Sequence, residues 1–175
     1  DYSQGSVRQT GGTYDLALSG SGFFAVSVTD KAGEVHTRYT RDGRFHLTKD
    51  GLLVDADGNA VQGQNGNITI DPSSKNVSIS ATGQITADGE LVDTLNIVDF
   101  EDYDYLKKYG DTMYEPVDGA TTKDAEGEIL QGYTEQSNVN VVREMVDMIT
   151  ITRAYEASQK VIHSYDSMLD KSVNQ

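Results

Sequence analysis

Five Asp-Gly pairs divide the first part of the chain, at Asp42-Gly43, Asp50-Gly51, Asp57-Gly58, Asp88-Gly89 and Asp118-Gly119. Asp-Gly suits the left-handed backbone of tight hairpin turns, so each pair marks a place where the chain reverses. The first three lie seven or eight residues apart, which leaves room between turns for strands of about five residues. Residues 44–48, 52–54 and 60–62 fit there and read as a β-meander. Further short strands are expected at 67–70, 77–80 and 84–86, with a longer one at 91–100 carrying Leu95, Ile97, Val98 and Phe100. Residues 99–132 are acidic, tyrosine-rich and without periodicity, and are expected to be long loops over the sheet.

From Ser137 to Val173 neither glycine nor proline occurs. Val141, Met148, Tyr155, Ile162 and Leu169 recur every seven positions, and Ile151, Ala154, Val161, Tyr165 and Met168 widen the same stripe. Such spacing predicts a helix of about 36 residues, roughly 54 Å long, capped by Ser137 or Asn138. That length exceeds what a compact β unit of this size can cover, so the stripe is expected to pair with another helix. The expected fold class is mainly β with a long C-terminal α-helix: an irregular, barrel-like β-meander over 1–136 and an amphipathic helix over 137–175.

The net charge of −14 falls almost wholly on residues 1–137, since the remainder holds four basic and five acidic side chains. An acidic surface excludes nucleic acid as a partner and disfavours anionic membranes. Cysteine is absent, and with it disulfides, thiolate zinc sites and a thiol nucleophile. No apolar run is long enough to cross a membrane, and Asp1 opens no signal-peptide pattern. The chain starts without methionine in polar sequence and is expected to be a fragment.

Gly20-Ser21-Gly22 invites a phosphate-loop reading, but Phe23, Phe24, Val26 and Val28 continue as a strand where a phosphate loop requires a helix. His36, His46 and His163 have no metal-ligand spacing. Asp55-Ala56-Asp57-Gly58-Asn59 resembles the start of a calcium loop, but Gly66 stands where the closing glutamate is needed. Asp99, Glu101, Asp102 and Asp104 read as a solvated loop, and Tyr103, Tyr105 and Tyr109 beside them as a contact surface. Phe23 and Phe24 occupy adjacent strand positions and point to opposite faces, so only one of them is expected to be fully buried. No catalytic, cofactor-binding or metal-binding residue is expected.

Two blocks carry a family resemblance. The first runs from Gln4-Gly5-Ser6-Val7-Arg8-Gln9-Thr10-Gly11-Gly12 into residues 15–26 and then Tyr39-Thr40-Arg41-Asp42-Gly43-Arg44-Phe45. The second comprises Gln131-Gly132-Tyr133, residues 135–142, Met145-Val146-Asp147-Met148-Ile149, Arg153-Ala154-Tyr155-Glu156 and Met168-Leu169. In this order they resemble the bacterial flagellar basal-body rod and hook proteins, and the short stretch between them sets the chain nearer the rod members. The resemblance implies a non-enzymatic subunit, exported through the flagellar secretion channel and stacked into a hollow helical axle of the basal body. Its partners would be copies of itself, other rod proteins and the hook protein, with no nucleic acid, small-molecule substrate or membrane insertion.

Gly20, Gly22, Phe23, Phe24, Tyr39 and Phe45 then become the family-motif core, the glycines forming a bend into a strand. Val141, Met145, Met148, Ile151, Tyr155, Ile162, Tyr165 and Leu169 become the assembly helix. The N-terminal helix that family members carry is not found ahead of Asp1, and the inner helix is expected to lack its partner. A second reading, a secreted wall-binding or wall-degrading module, rests on the tyrosines and carboxylates of 99–109.

Overall fold

A computed structural model describes residues 2–137. Strands β1 (Val7–Gln9) and β2 (Leu16–Ser19) lead into a long hairpin of β3 (Phe23–Thr29) and β4 (Val35–Thr40). A meander follows through β5 (His46–Leu47), β6 (Leu53–Val54), β7 (Ala60–Gly63) and β8 (Gly66–Asn67). Next, β9 (Val77–Ile79), β10 (Gln84–Ala87) and β11 (Glu90–Thr94) form a separate three-stranded sheet. The described chain is completed by β12 (Ile97–Phe100), a 3-10 turn at Tyr103–Tyr105, β13 (Leu106–Tyr109), β14 (Met113–Pro116), β15 (Thr122–Asp124), β16 (Glu128–Gln131) and β17 (Tyr133–Glu135).

Strand β3 is the trunk of the large sheet. One edge pairs with β4 from Phe24 to Thr29, and the other is shared by β12 at Phe23 and Phe24 and by β7 at Val26 and Ser27. A strand covered on both faces must be apolar at successive positions, which is why Phe23-Phe24-Ala25-Val26 departs from alternation. Asp50-Gly51, Asp57-Gly58 and Asp88-Gly89 turn the β5–β6, β6–β7 and β10–β11 hairpins, whereas Asp118-Gly119 turns between β14 and β15, which do not pair with each other, and Asp42-Gly43 lies between β4 and β5, which do not pair either, and makes no hairpin. At Gly43 the requirement is room: a Cβ there would collide with the carbonyl oxygen of Leu16, whose own N–H donates to the Gly43 carbonyl at 2.9 Å.

The expected fold class needs correcting. Among the described residues there is no α-helix, and the only helical piece is the 3-10 turn. Turn residues interrupt this part of the chain too often for a helix to nucleate and propagate. The picture of a β domain joined to a long C-terminal helix is therefore replaced by an architecture that is β throughout the described residues. The helix placed over 137–175 falls, apart from Ser137, outside the described residues.

Residues 99–132 are likewise not long loops. Strands β13 and β14 form a hairpin from Leu106–Pro116 to Tyr109–Met113 and extend the large sheet by pairing β14 with β4, while β15 pairs with β12. The single strand expected at 91–100 is two: buried Leu95 donates its N–H to the Gly83 carbonyl and Asn96 donates its own to that of Gln62, and the chain passes there from one sheet to another.

Those hairpins explain a further difference. Phe23 and Phe24 do face opposite sides, but both are buried, at 2% and 0% exposure. Phe24 meets Phe45 edge-on at 5.2 Å in the main core. Phe23 lies in a second, smaller core with Phe100 and Leu106, its ring 5.7 Å from Tyr103 and 5.6 Å from Tyr114. The segment read as loops supplies that cover. Truncating either phenylalanine to alanine is expected to cost about 3 to 5 kcal/mol, seen as a lower denaturation midpoint at unchanged slope, whereas exposed Leu91→Ala should stay within about 0.5 kcal/mol.

Candidate functional site

The first resemblance block and the described part of the second meet in a short β ribbon. Strands β1 and β17 pair antiparallel, Val7 with Glu135 and Gln9 with Tyr133. The ribbon is extended by the Gln136 N–H to the Ser6 carbonyl at 2.8 Å and by the Thr10 and Gly11 N–H groups to the Gly132 carbonyl at 2.8 and 3.0 Å. The chain thus enters and leaves the β domain side by side, at Ser6 and Gln136. We call this ribbon the neck.

One arginine fastens the neck to the sheet. Arg41, just beyond β4, donates through Nη1 to the carbonyls of Gly20 at 2.7 Å and Gly22 at 2.9 Å, and through Nη2 to that of Leu18 at 3.0 Å. Its Nε donates to Glu135 Oε2 at 3.0 Å, and Nη2 lies 2.9 Å from the same oxygen. Glu135 Oε1 accepts from the Gly5 N–H at 2.9 Å, and Gln4 Oε1 accepts from the Gly20 N–H at the same distance. Tyr2 extends the attachment, its ring 5.0 Å from Tyr103 and 5.3 Å from Tyr114.

This geometry answers the question posed by Gly20-Ser21-Gly22. A phosphate cradle turns N–H groups inward, whereas this bend turns carbonyl oxygens inward onto a cation. The bend needs glycine twice, with φ of +106° at Gly20 and +129° at Gly22. Crowding adds to that need, because a Cβ on Gly22 would stand 2.8 Å from that of Ala125. Tyr39 packs its ring 5.0 Å from Phe100, and Phe45 is buried against Phe24. Val141, Met145, Met148, Ile151, Tyr155, Ile162, Tyr165 and Leu169 lie outside the described residues.

Arg41 and Glu135 were missed as a pair because 94 positions separate them, although each stands inside a quoted block. Gln131 was missed for the same reason: its side chain accepts from the Ile79 N–H and donates to the carbonyls of Val77 and Thr13, binding the edge of β9 to the β2–β16 pair.

Asp99 is fully buried. Its Oδ1 accepts from the Tyr103 hydroxyl at 2.7 Å and the Phe100 N–H at 2.9 Å, and Lys123 Nζ stands 3.5 Å from Oδ2. Burial pushes this carboxyl up, but the hydrogen bonds outweigh it and hold the group below the usual range. Burial and the same carboxylate push the Tyr103 phenol up to about 12.

Asp30, Glu34 and His36 are the one group of possible metal ligands brought together among the described residues. His36 Nε2 lies 3.0 Å from Asp30 Oδ2, while Asp30 Oδ1 accepts from the Ala32 and Glu34 N–H groups, so the turn's own donors engage the carboxylate. The same holds at Asp55, which accepts from the Asp57 and Asn59 N–H groups. His46 is exposed on β5, and His163 lies outside the described residues. A groove beside the neck is lined by Arg8, Thr10, Arg44, Thr134 and Gln136, together with Glu135, whose carboxylate Arg41 engages.

Residues 17–87 match the family model of the flagellar hook protein FlgE/F/G D1 domain, and residues 130–175 that of the flagellar basal body rod FlgEFG protein C-terminal region. Over 183 residues the chain is 36% identical to the flagellar basal-body rod protein FlgG of Buchnera aphidicola subsp. Schizaphis graminum, covering 97% of this chain and 68% of that protein. The chain belongs to the flagellar basal-body rod protein family. Other rod relatives include FlgG of Bacillus subtilis, 32% identical over 99% of this chain and 69% of that protein, and FlgF of Caulobacter vibrioides, 37% identical over 93% and 65%. A rod protein is a non-enzymatic structural component located in the flagellar basal body, and it assembles with other rod and hook components. The wall-binding reading has no support. In this rod protein Arg41 lies in the first matched stretch and Glu135 near the start of the second, both within the described β domain.

Two outcomes follow for the clamp and the buried acid. Arg41→Ala leaves Glu135 and three carbonyls without their cation and should cost about 3 to 5 kcal/mol; Arg41→Lys keeps the charge but not the fork and should cost about 1.5 to 3 kcal/mol. Both are read from denaturant melts. The second outcome concerns pH. The depressed Asp99 carboxyl contributes stability that is present above its unfolded value, about 3.9, and lost as pH falls through the lower folded value. The raised Tyr103 phenol contributes stability that is complete below about 10 and lost as pH climbs through about 12. Tyr103→Phe should therefore flatten the alkaline arm of a stability–pH profile and weaken the acid arm.

Proposed function

We propose that the described β domain is the outer part of a distal-rod type of subunit, in a helical homopolymer that carries torque between the motor and the hook. The observation that supports this reading is the neck. Strands β1 and β17 form a two-stranded ribbon, and such a ribbon alone is marginal in water. The Arg41 and Glu135 contacts stiffen it by fixing it to β2, to the bend and to the segment before β1.

The acidic exterior fits the same reading. Like-charged outer domains stay soluble before assembly and repel one another when brought side by side. Nucleic acid, small-molecule substrates and membrane insertion have no place in this function. Neighbouring rod proteins and the hook protein would meet the ends of the stack.

Polymerisation of the full-length subunit, followed by light scattering and electron microscopy, tests the proposal. Tubes should form, and their formation should strengthen as salt screens the outer-domain repulsion over a few ångströms to about 10 Å. Failure to form any ordered polymer, or assembly that weakens steadily with salt, would contradict it.

A further inference from the structure

We infer that Asn65-Gly66 is a site of spontaneous covalent modification, at which the Asn65 side chain loses its amide nitrogen through a cyclic imide. Asn65 is the only asparagine of the sequence followed by glycine; Asn59, Asn67, Asn76 and Asn96 precede Ala60, Ile68, Val77 and Ile97. The reaction requires the next backbone nitrogen to reach the side-chain carbonyl carbon, and a Cβ on that next residue is what hinders it. Gly66 has none, and nothing stands within 4 Å of where one would be. Asn65 itself is exposed at the tip of the β7–β8 hairpin, where Gly63 pairs with Gly66. Its amide is held by one long hydrogen bond, Nδ2 to Asp93 Oδ1 at 3.3 Å.

In the step, the Gly66 nitrogen gives its proton to hydroxide and bonds to Cγ of Asn65. The Cγ–Nδ2 bond breaks, and the nitrogen takes a proton from water and leaves as ammonia. Water then opens the imide. Cleavage between Cγ and the Gly66 nitrogen gives aspartate, and cleavage between the Asn65 backbone carbonyl carbon and that nitrogen gives isoaspartate. No oxidant or reductant is involved.

The location gives the change a consequence. Asp93 is buried, with Oδ1 accepting from the Thr94 N–H at 2.7 Å as well as from Asn65. Loss of the amide replaces a donor with a second carboxylate beside a buried one, a contact that disfavours both charges. The Asp93 carboxylate fills the space that Gly63 leaves open, its Oδ2 2.5 Å from where a Cβ there would sit. The hairpin tip is also the seam between the two sheets, held by the Gln64 N–H to the Thr94 carbonyl at 2.9 Å and the Asn96 N–H to the Gln62 carbonyl at 3.1 Å. Modification therefore loosens that seam.

The test is to hold the folded protein at mildly alkaline pH and follow each asparagine by peptide mass spectrometry with isoaspartate detection. Asn65 should convert first, giving both products, and Gly66→Ala should slow it towards the rate of the other asparagines. An Asn65 amide that persists as long as those of Asn59, Asn67, Asn76 and Asn96 overturns the site. Separately, Asn65→Asp should melt at a lower temperature than neutral Asn65→Ser. Equal melting of the two variants overturns the loosening of the seam.

Discussion

A guanidinium group has five N–H donors in a fixed plane, and Arg41 directs them to three backbone carbonyls and one carboxylate. Everything else at this end of the domain depends on that arrangement. The carbonyls of Leu18, Gly20 and Gly22 converge because the backbone bends through two glycines, and they are held together because a cation sits among them. Glu135 then neutralises the cation and, through its other oxygen, takes the Gly5 N–H. Lysine could supply the charge but not the fan of directions. The clamp is also what gives β1 and β17 a fixed relation to the large sheet, since the two strands pair with each other and with no other strand among the described residues.

Much of this was legible in the residues. Three of the five Asp-Gly pairs locate hairpins, at β5–β6, β6–β7 and β10–β11, and the polarity of Gly20-Ser21-Gly22 followed by Phe23 and Phe24 points to a bend within a sheet. A strand after Gly22, where a phosphate loop requires a helix, excludes phosphate chemistry. The quoted blocks were sufficient to identify the family. What the residues hid was pairing across distance. Nothing local in Tyr39-Thr40-Arg41 reveals that Glu135 is its partner, and nothing in Tyr103, Tyr105 and Tyr109 reveals that the segment folds back as a hairpin over Phe23. Acidic, tyrosine-rich sequence was read as loop because strand alternation is weak where one face of a strand is solvated and the other meets aromatic edges. Seven-residue periodicity, in turn, spoke for a helix in a region that lies beyond the described residues, and the fold class drawn from it had to be replaced.

The site has little of the character of an enzyme's. Its buried charges serve structure: Asp99 is engaged by Tyr103 and Phe100, and Glu135 by Arg41 and Gly5. Removing one partner from such a group exposes the other to an apolar surrounding, which is why these contacts weigh more than the surface pairs between Arg44 and Asp42 or His36 and Asp30. For a rod subunit this division is apt. The exterior is acidic and solvated, while the clamp of interior polar contacts around Arg41 holds the β1–β17 ribbon.

The central claim is that Arg41 joins the neck to the β domain as one cooperative unit. Native-state hydrogen exchange measures this directly, at the Thr10, Gly11, Gly20 and Gln136 amides and at those of β3 and β4. If the claim holds, the neck amides exchange only with the global unfolding that releases β3 and β4, and Arg41→Lys uncouples them so that they exchange far sooner than the sheet. Neck amides that exchange like a frayed terminus in the unaltered protein, while β3 and β4 stay protected, would contradict it.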